Sequence, residues 1–83
     1  MSPSRLYREG SSGITGMAGS LLFVSDMRGA GCGERVSVEA DGSRRVREGR
    51  VLSVRDGLCA VQVFEGTEGL ETGRTTVWME RDT

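Results

Sequence analysis

Three carboxylates recur at three-residue spacing in "FEGTEGLE": Glu65, Glu68 and Glu71. Acids so placed suit two kinds of chemistry, proton transfer by a matched pair and capture of a hard cation by converging oxygens. Neither pattern is complete. The intervening residues do not spell an EF-hand loop, and Gly66, Thr67 and Gly69 are the composition of a tight, soluble turn. The stretch is therefore expected to be structural, with no catalytic residue, no metal ligand and no cofactor site. An enzyme built on these acids would need one of them held protonated well above the ordinary carboxylate range.

The densest positive charge is "RRVREGR", with Arg44, Arg45, Arg47 and Arg50. Small β-barrels bind nucleic acid through basic grooves, but single-strand binders also stack bases on exposed aromatics. Here the aromatics are Tyr7, Phe23, Phe64 and Trp78 alone, and the formal net charge is -1. The segment reads as a solvated hairpin or a salt-bridging subunit contact, with nucleic-acid binding as the alternative. Trp78 and Met79, near the chain end, either cap the fold or face a neighbouring domain.

Absences exclude more. The 83 residues hold no His and no Lys, so all 11 positive side chains are Arg, against 12 carboxylates. A Ser-His-Asp or Cys-His relay, a His-bearing zinc site, a Schiff base and a Walker-type phosphate lysine are all ruled out. "GSSGITG" and "GAGCG" do not match a phosphate-binding loop, and a dinucleotide fingerprint needs a following helix that this sequence does not offer. Direct nucleotide binding is not expected. Cys32 and Cys59 form neither C-x-x-C nor a zinc pattern; both are expected reduced, Cys59 as a small core residue.

The elements that must position these residues are strands. Six are read from short apolar runs between turn residues: 12–17, 20–25, 34–40, 46–54, 58–64 and 75–79. Val36, Val38 and Ala40 alternate with Arg35, Ser37 and Glu39, the mark of a half-buried strand. Asp41-Gly42 is a dipeptide that tolerates positive φ at both turn positions, and "RDG" at 55–57 makes a second tight turn. Six strands in so short a chain, some apolar on both faces, are best housed in an all-β fold, a small closed six-stranded β-barrel. Its expected interior is Ile14, Leu22, Val24, Val36, Val38, Val51, Leu58 or Cys59, Val61, Val63 and Val77. Residues 1–10 read as a flexible leader, 11–80 as the barrel and 81–83 as a tail. The longest apolar run, Leu21–Val24, is far short of the ~20 residues of a membrane-spanning helix.

In order along the chain, "GITGMAGSLLFV", "GERVSV", "GRVLSVRDGLCAVQVFEGTEGL" and "TTV" resemble the N-terminal β-barrel of the V-type (A/V-type) ATP synthase B subunit, the noncatalytic subunit of the head. The resemblance runs from about Ser11 to Met79 and is most specific in "VQVFEGTEGL"; Ser20 stands where the family has Pro in G-P-L-L-x-V. It implies an assembly role, in which alternating A and B barrels form a crown and the B barrel receives the E/G peripheral stalk. A cytoplasmic position, peripheral to the membrane, is implied with it. Interface candidates under that reading are Arg44, Arg45, Arg47, Arg50, Glu65, Glu68 and Trp78. The α/β nucleotide-binding domain and the helical domain of a full B subunit do not fall within these 83 residues. No ATP-binding or catalytic role is therefore carried over to any residue here, and the barrel alone is expected not to be an enzyme.

Overall fold

A computed structural model describes residues 6–11, 13–25, 27 and 29–82. Seven strands lie among them: β1 (Leu6–Ser11), β2 (Ile14–Ala18), β3 (Leu21–Ser25), β4 (Arg35–Ala40), β5 (Val46–Arg55), β6 (Leu58–Val63) and β7 (Thr75–Asp82). A single 3-10 turn, Thr72–Arg74, precedes β7. Every ladder is antiparallel, in the order β1-β7-β4-β5-β6-β3-β2.

The two margins of this sheet, β1 and β2, are consecutive in the chain with only Ser12 and Gly13 between them. Three extended residues reach at most about 11 Å, so strands at opposite ends of the ladder are held together covalently. The sheet must curl to allow it. β1 pairs with β7 and β2 with β3, as two halves of one bent N-terminal strand, and counting them as one gives the six strands expected. The all-β fold and small barrel architecture are those the sequence implies. Among the described residues no ladder joins β1 to β2, so the hydrogen-bonded sheet is a curled half-barrel whose margins meet through the chain.

The core follows from period-two alternation. Val36 and Val38 of β4, Val61 and Val63 of β6, Leu22 and Val24 of β3, and Val77 and Met79 of β7 point inward and are buried. β-branched valine suits both the pleated backbone and a narrow interior, and each such burial is worth about 1.5–3 kcal/mol. Of the two residues left open on β6, Cys59 is inside and Leu58 is 38% exposed. Ile14, expected inside, is partly buried against the core. Met27, Leu70, Thr75 and Met79 complete the interior from outside the expected set.

Turn chemistry departs from the sequence reading at one place. Asp56 and Gly57 have φ of 52° and 78°, the two positive values of a type I′ turn, and they join β5 directly to β6. At Asp41-Gly42 only Gly42 has positive φ, 80°. There Ser43 N–H donates to Ala40 O at 3.0 Å, a type II turn that opens a longer connection to β5.

Strand boundaries differ at both ends of the chain. The sequence pattern starts the sheet near Ser11, yet β1 occupies 6–11 and β7 extends to Asp82 into the expected tail. The two extensions have one cause, since each is the other's ladder partner, from Leu6 opposite Asp82 to Ser11 opposite Val77. "LYREGS" has no apolar alternation to announce a strand, so long-range pairing decides what local pattern does not. Residues 1–5 of the expected leader lie outside the described residues.

Candidate functional site

The arginine-rich segment and the acidic turn, 20 residues apart at Arg45 and Glu65, meet in space. β4 and β5 form a hairpin whose connection, 41–45, lies beside the turn that leaves β6. Arg45 Nη2 donates to Glu65 Oε2 at 2.5 Å, and Arg47 Nη1 donates to the Gly66 carbonyl at 2.9 Å. Arg47 Nη2 also lies 3.6 Å from where a Cβ on Gly69 would sit. A guanidinium is a fork of fixed donors, and the two arginines divide their contacts between a carboxylate and a backbone oxygen of one turn.

The turn is fastened from other directions too. Thr67 Oγ1 donates to Gly19 O at 2.5 Å, across to the β2–β3 connection, and Leu70 N–H donates to Thr67 O at 3.0 Å. Leu70 is buried in the core cluster, and Thr75 donates its hydroxyl to Glu71 O at 2.6 Å. Gly66 and Gly69, with φ of 87° and 84°, take the left-handed backbone that lets the chain turn so sharply. The glutamates themselves point apart in their partners: Glu65 to Arg45, Glu71 to Arg74 at 3.8 Å, and Glu68 to no described residue. Among the described residues no group of three acids, cysteines or histidines is placed to hold a metal.

The other sequence candidates fall elsewhere. Arg50 stands on β5 opposite Arg35 of β4 and opposite Gln62 of β6, and Arg35 Nη2 is paired with Glu48 Oε1 at 2.8 Å. Arg44 is exposed in the β4–β5 connection. Trp78 lies on the outer face of β7, half-buried, opposite Gly10 of β1 and Ser37 of β4. A Cβ on Gly10 would come within 2.7 Å of the indole, so glycine there gives the ring its seat. Met79, its neighbour, is in the core. The pair thus divides between the two faces of the sheet.

A second surface is absent from the sequence candidates. On the outer face of β3, β6 and the end of β5, Phe23, Ser53, Arg55, Asp56, Leu58 and Ala60 line an open cavity of about 460 Å³. Leu52, Val54, Leu58 and Phe64 are all more than a third exposed, nearby or at the far end of β6. Its signal in the sequence is the apolar character of both faces of "LLFVS", which places Leu22 and Val24 inside and leaves Phe23 facing out.

Cys59 is buried, and desolvation pushes its thiol above the ordinary 9.0, with Cys32 and Glu34 adding repulsion to the thiolate. Both cysteines are free, and Cys32 is exposed. A thiol held protonated in the core is a poor nucleophile.

Comparison with known proteins decides the family. Residues 14–77 match the ATP synthase alpha/beta family, beta-barrel domain. The chain belongs to this family. It is 38% identical over 77 residues to the V-type ATP synthase beta chain of two strains of Thermus thermophilus, covering 93% of this chain. It is also 45% identical over 64 residues, 77% of this chain, to the B subunit of the A-type ATP synthase of Methanopyrus kandleri. The chain spans 16% of the length of the Thermus proteins and 6% of the Methanopyrus one. The resemblance noted in the sequence is thus to the right family, and the all-β barrel arrangement agrees with it. No helix among the described residues is long and apolar enough to cross a membrane.

Proposed function

We propose that this barrel is an assembly domain of a V-type or A-type ATP synthase B subunit, forming a crown with the barrels of A subunits and receiving the E/G peripheral stalk. It works in the head, peripheral to the membrane on the cytoplasmic side. Ion transport coupled to ATP synthesis or hydrolysis would belong to the full complex, and the barrel alone hydrolyses no ATP. The observation that carries this reading is the family match over residues 14–77, joined to a fold whose charged turns are tied to one another. A mechanical domain needs a stiff frame with side chains left over on its flanks; Arg44, Arg50 and Glu68 have no ion-pair partner among the described residues. These, with Arg45, Arg47, Glu65 and Trp78 at their edges, are the proposed lateral contacts.

The nucleic-acid alternative loses ground on the same geometry. Arg45 and Arg47 each commit a guanidinium nitrogen to the acidic turn, which places the Glu65 carboxylate inside the patch a phosphate would have to enter.

The test is a domain exchange. This barrel replaces the corresponding segment of a V-type beta chain, and head assembly is followed by native mass spectrometry. Assembly of the complete head supports the proposal. Failure to assemble, with the exchanged barrel shown folded by its melting transition, would overturn it.

A further inference from the structure

We propose that Asp56-Gly57 is a site of spontaneous backbone modification, where the turn converts its own aspartate to isoaspartate, and that the identical dipeptide at Asp41-Gly42 is spared. The reaction needs no partner and is independent of the assembly role above. Its chemistry closes within the turn. The Gly57 nitrogen attacks the carboxyl carbon of Asp56, a C–N bond forms, and the displaced oxygen leaves as water with the amide proton and the proton of the acid. Water then opens the five-membered succinimide at either carbonyl, restoring aspartate or leaving the chain routed through the side-chain carbon. Access does not separate the two sites. Both aspartates are exposed, neither has an ion-pair partner among the described residues, and nothing lies within 4 Å of where a Cβ on Gly42 or Gly57 would sit.

Backbone geometry does separate them. Ring closure needs Cβ and the next nitrogen to eclipse about the Cα–C bond, which for an L residue is a ψ of about −120°, the value at the first central position of a type II′ turn. Asp56 already stands at φ 52°. Rotating the one peptide plane between Asp56 and Gly57 carries the type I′ turn into type II′, the other turn that two-residue hairpins favour, so β5 and β6 keep their pairing while the reactive geometry forms. Glycine suits that position better than a residue with a side chain, so the conformer is minor and the reaction slow. Asp41 starts from negative φ, because among the described residues Asp56 alone of the non-glycines has a positive value. Rotating its peptide plane turns type II into type I, with ψ of about −30°, and a ψ of about −120° at negative φ lies outside the allowed regions. Asp41 N–H is also tied to Arg74 O at 2.7 Å. At Asp56 the added backbone carbon enters a two-residue turn closed by Arg55 opposite Leu58, and it reshapes the rim of the cavity that Phe23, Asp56 and Leu58 line.

The experiment incubates the full chain in heavy-oxygen water at neutral pH for several weeks and then cleaves it after glutamate, which separates residues 40–48 from 49–65. Each succinimide that reopens takes up one heavy oxygen, and electron-transfer fragmentation tells isoaspartate from aspartate. The expected result is label and isoaspartate at Asp56, with Asp41 slower by about tenfold or more, since forcing its backbone into a sparsely populated region raises the barrier. In urea, where both turns are lost, the two sites react alike. Asp56→Gly keeps the positive φ and the hairpin, and it removes the label from 49–65 with the melting transition in place. Equal or greater label at Asp41 in the folded chain would overturn the proposal, as would the absence of isoaspartate at Asp56 or a preference for Asp56 that survives in urea.

Discussion

Gly49 shows how a single residue can be fixed by the approach of another backbone. It sits on β5 opposite Val63 of β6 and Val36 of β4, and a Cβ built on it would run into the carbonyl oxygen of Gln62, with Val36 close behind. The clash is with main chain that cannot rotate away. Gly49→Ala is therefore expected to destabilise by about 1–3 kcal/mol, the cost of forcing extra volume into a packed site, despite alanine's usual advantage in backbone entropy. A urea midpoint equal to or above that of the parent would show that the strands part easily there. Cys59 gives a second residue-scale expectation, in pH. Burial raises the folded thiol above its ordinary 9.0. Its contribution to stability is full below that value and declines as pH rises from there through the folded value, because the unfolded chain ionises first. Cys59→Ala should then lose stability relative to the parent at neutral pH but lose less of it as pH climbs above 9.0. Parallel stability curves from neutral to alkaline pH would contradict the assignment. In the native state a thiol reagent should titrate exposed Cys32 and spare Cys59 until the chain unfolds.

At the scale of elements, the acidic turn is held by two devices of unequal strength. The Arg45–Glu65 pair has side chains 63% and 44% exposed, so water screens it and a double-mutant cycle should return only about 0.2–1 kcal/mol. Leu70 is buried in the core cluster, and Leu70→Ala should cost about 2–5 kcal/mol, the range for removing a large apolar side chain from a packed interior. Denaturant unfolding of the four variants decides the ranking, and a coupling energy larger than the loss at Leu70 would reverse it. The ranking bears on what is legible in the sequence. Glycine at 66 and 69 announces a turn, and the spacing of the glutamates argues against a metal site, both from local sequence alone. That Arg45 and Arg47 clamp that turn cannot be read there, since the turn belongs to the connection between β6 and β7, whose course past β4 and β5 is set by the strand order of the whole sheet. Phe23 and Leu58 are similarly ambiguous: an apolar residue on a strand declares burial or an interface, and only the register separates the two.

For the whole molecule, the alternation in β3, β4, β6 and β7 is enough to give the architecture, because inward valines at period two have few other arrangements in so short a chain. β1 is hidden for the opposite reason: its strand character lies in its partner. That distinction carries a test. If residues 1–10 were a leader, their removal would leave the barrel's stability unchanged. If β1 is one half of the strand that joins the sheet's margins, deletion leaves one edge of β7 without its ladder from Trp78 to Asp82 and lifts the cover that Gly10 provides for Trp78. Unpaired edges expose backbone donors and acceptors and invite pairing with other chains. The shortened chain is therefore expected to unfold at lower denaturant, with tryptophan emission shifted to the red before unfolding and with aggregation on heating. An unchanged midpoint and emission maximum would show that the barrel stands without β1, and that its curvature comes from the remaining six strands alone.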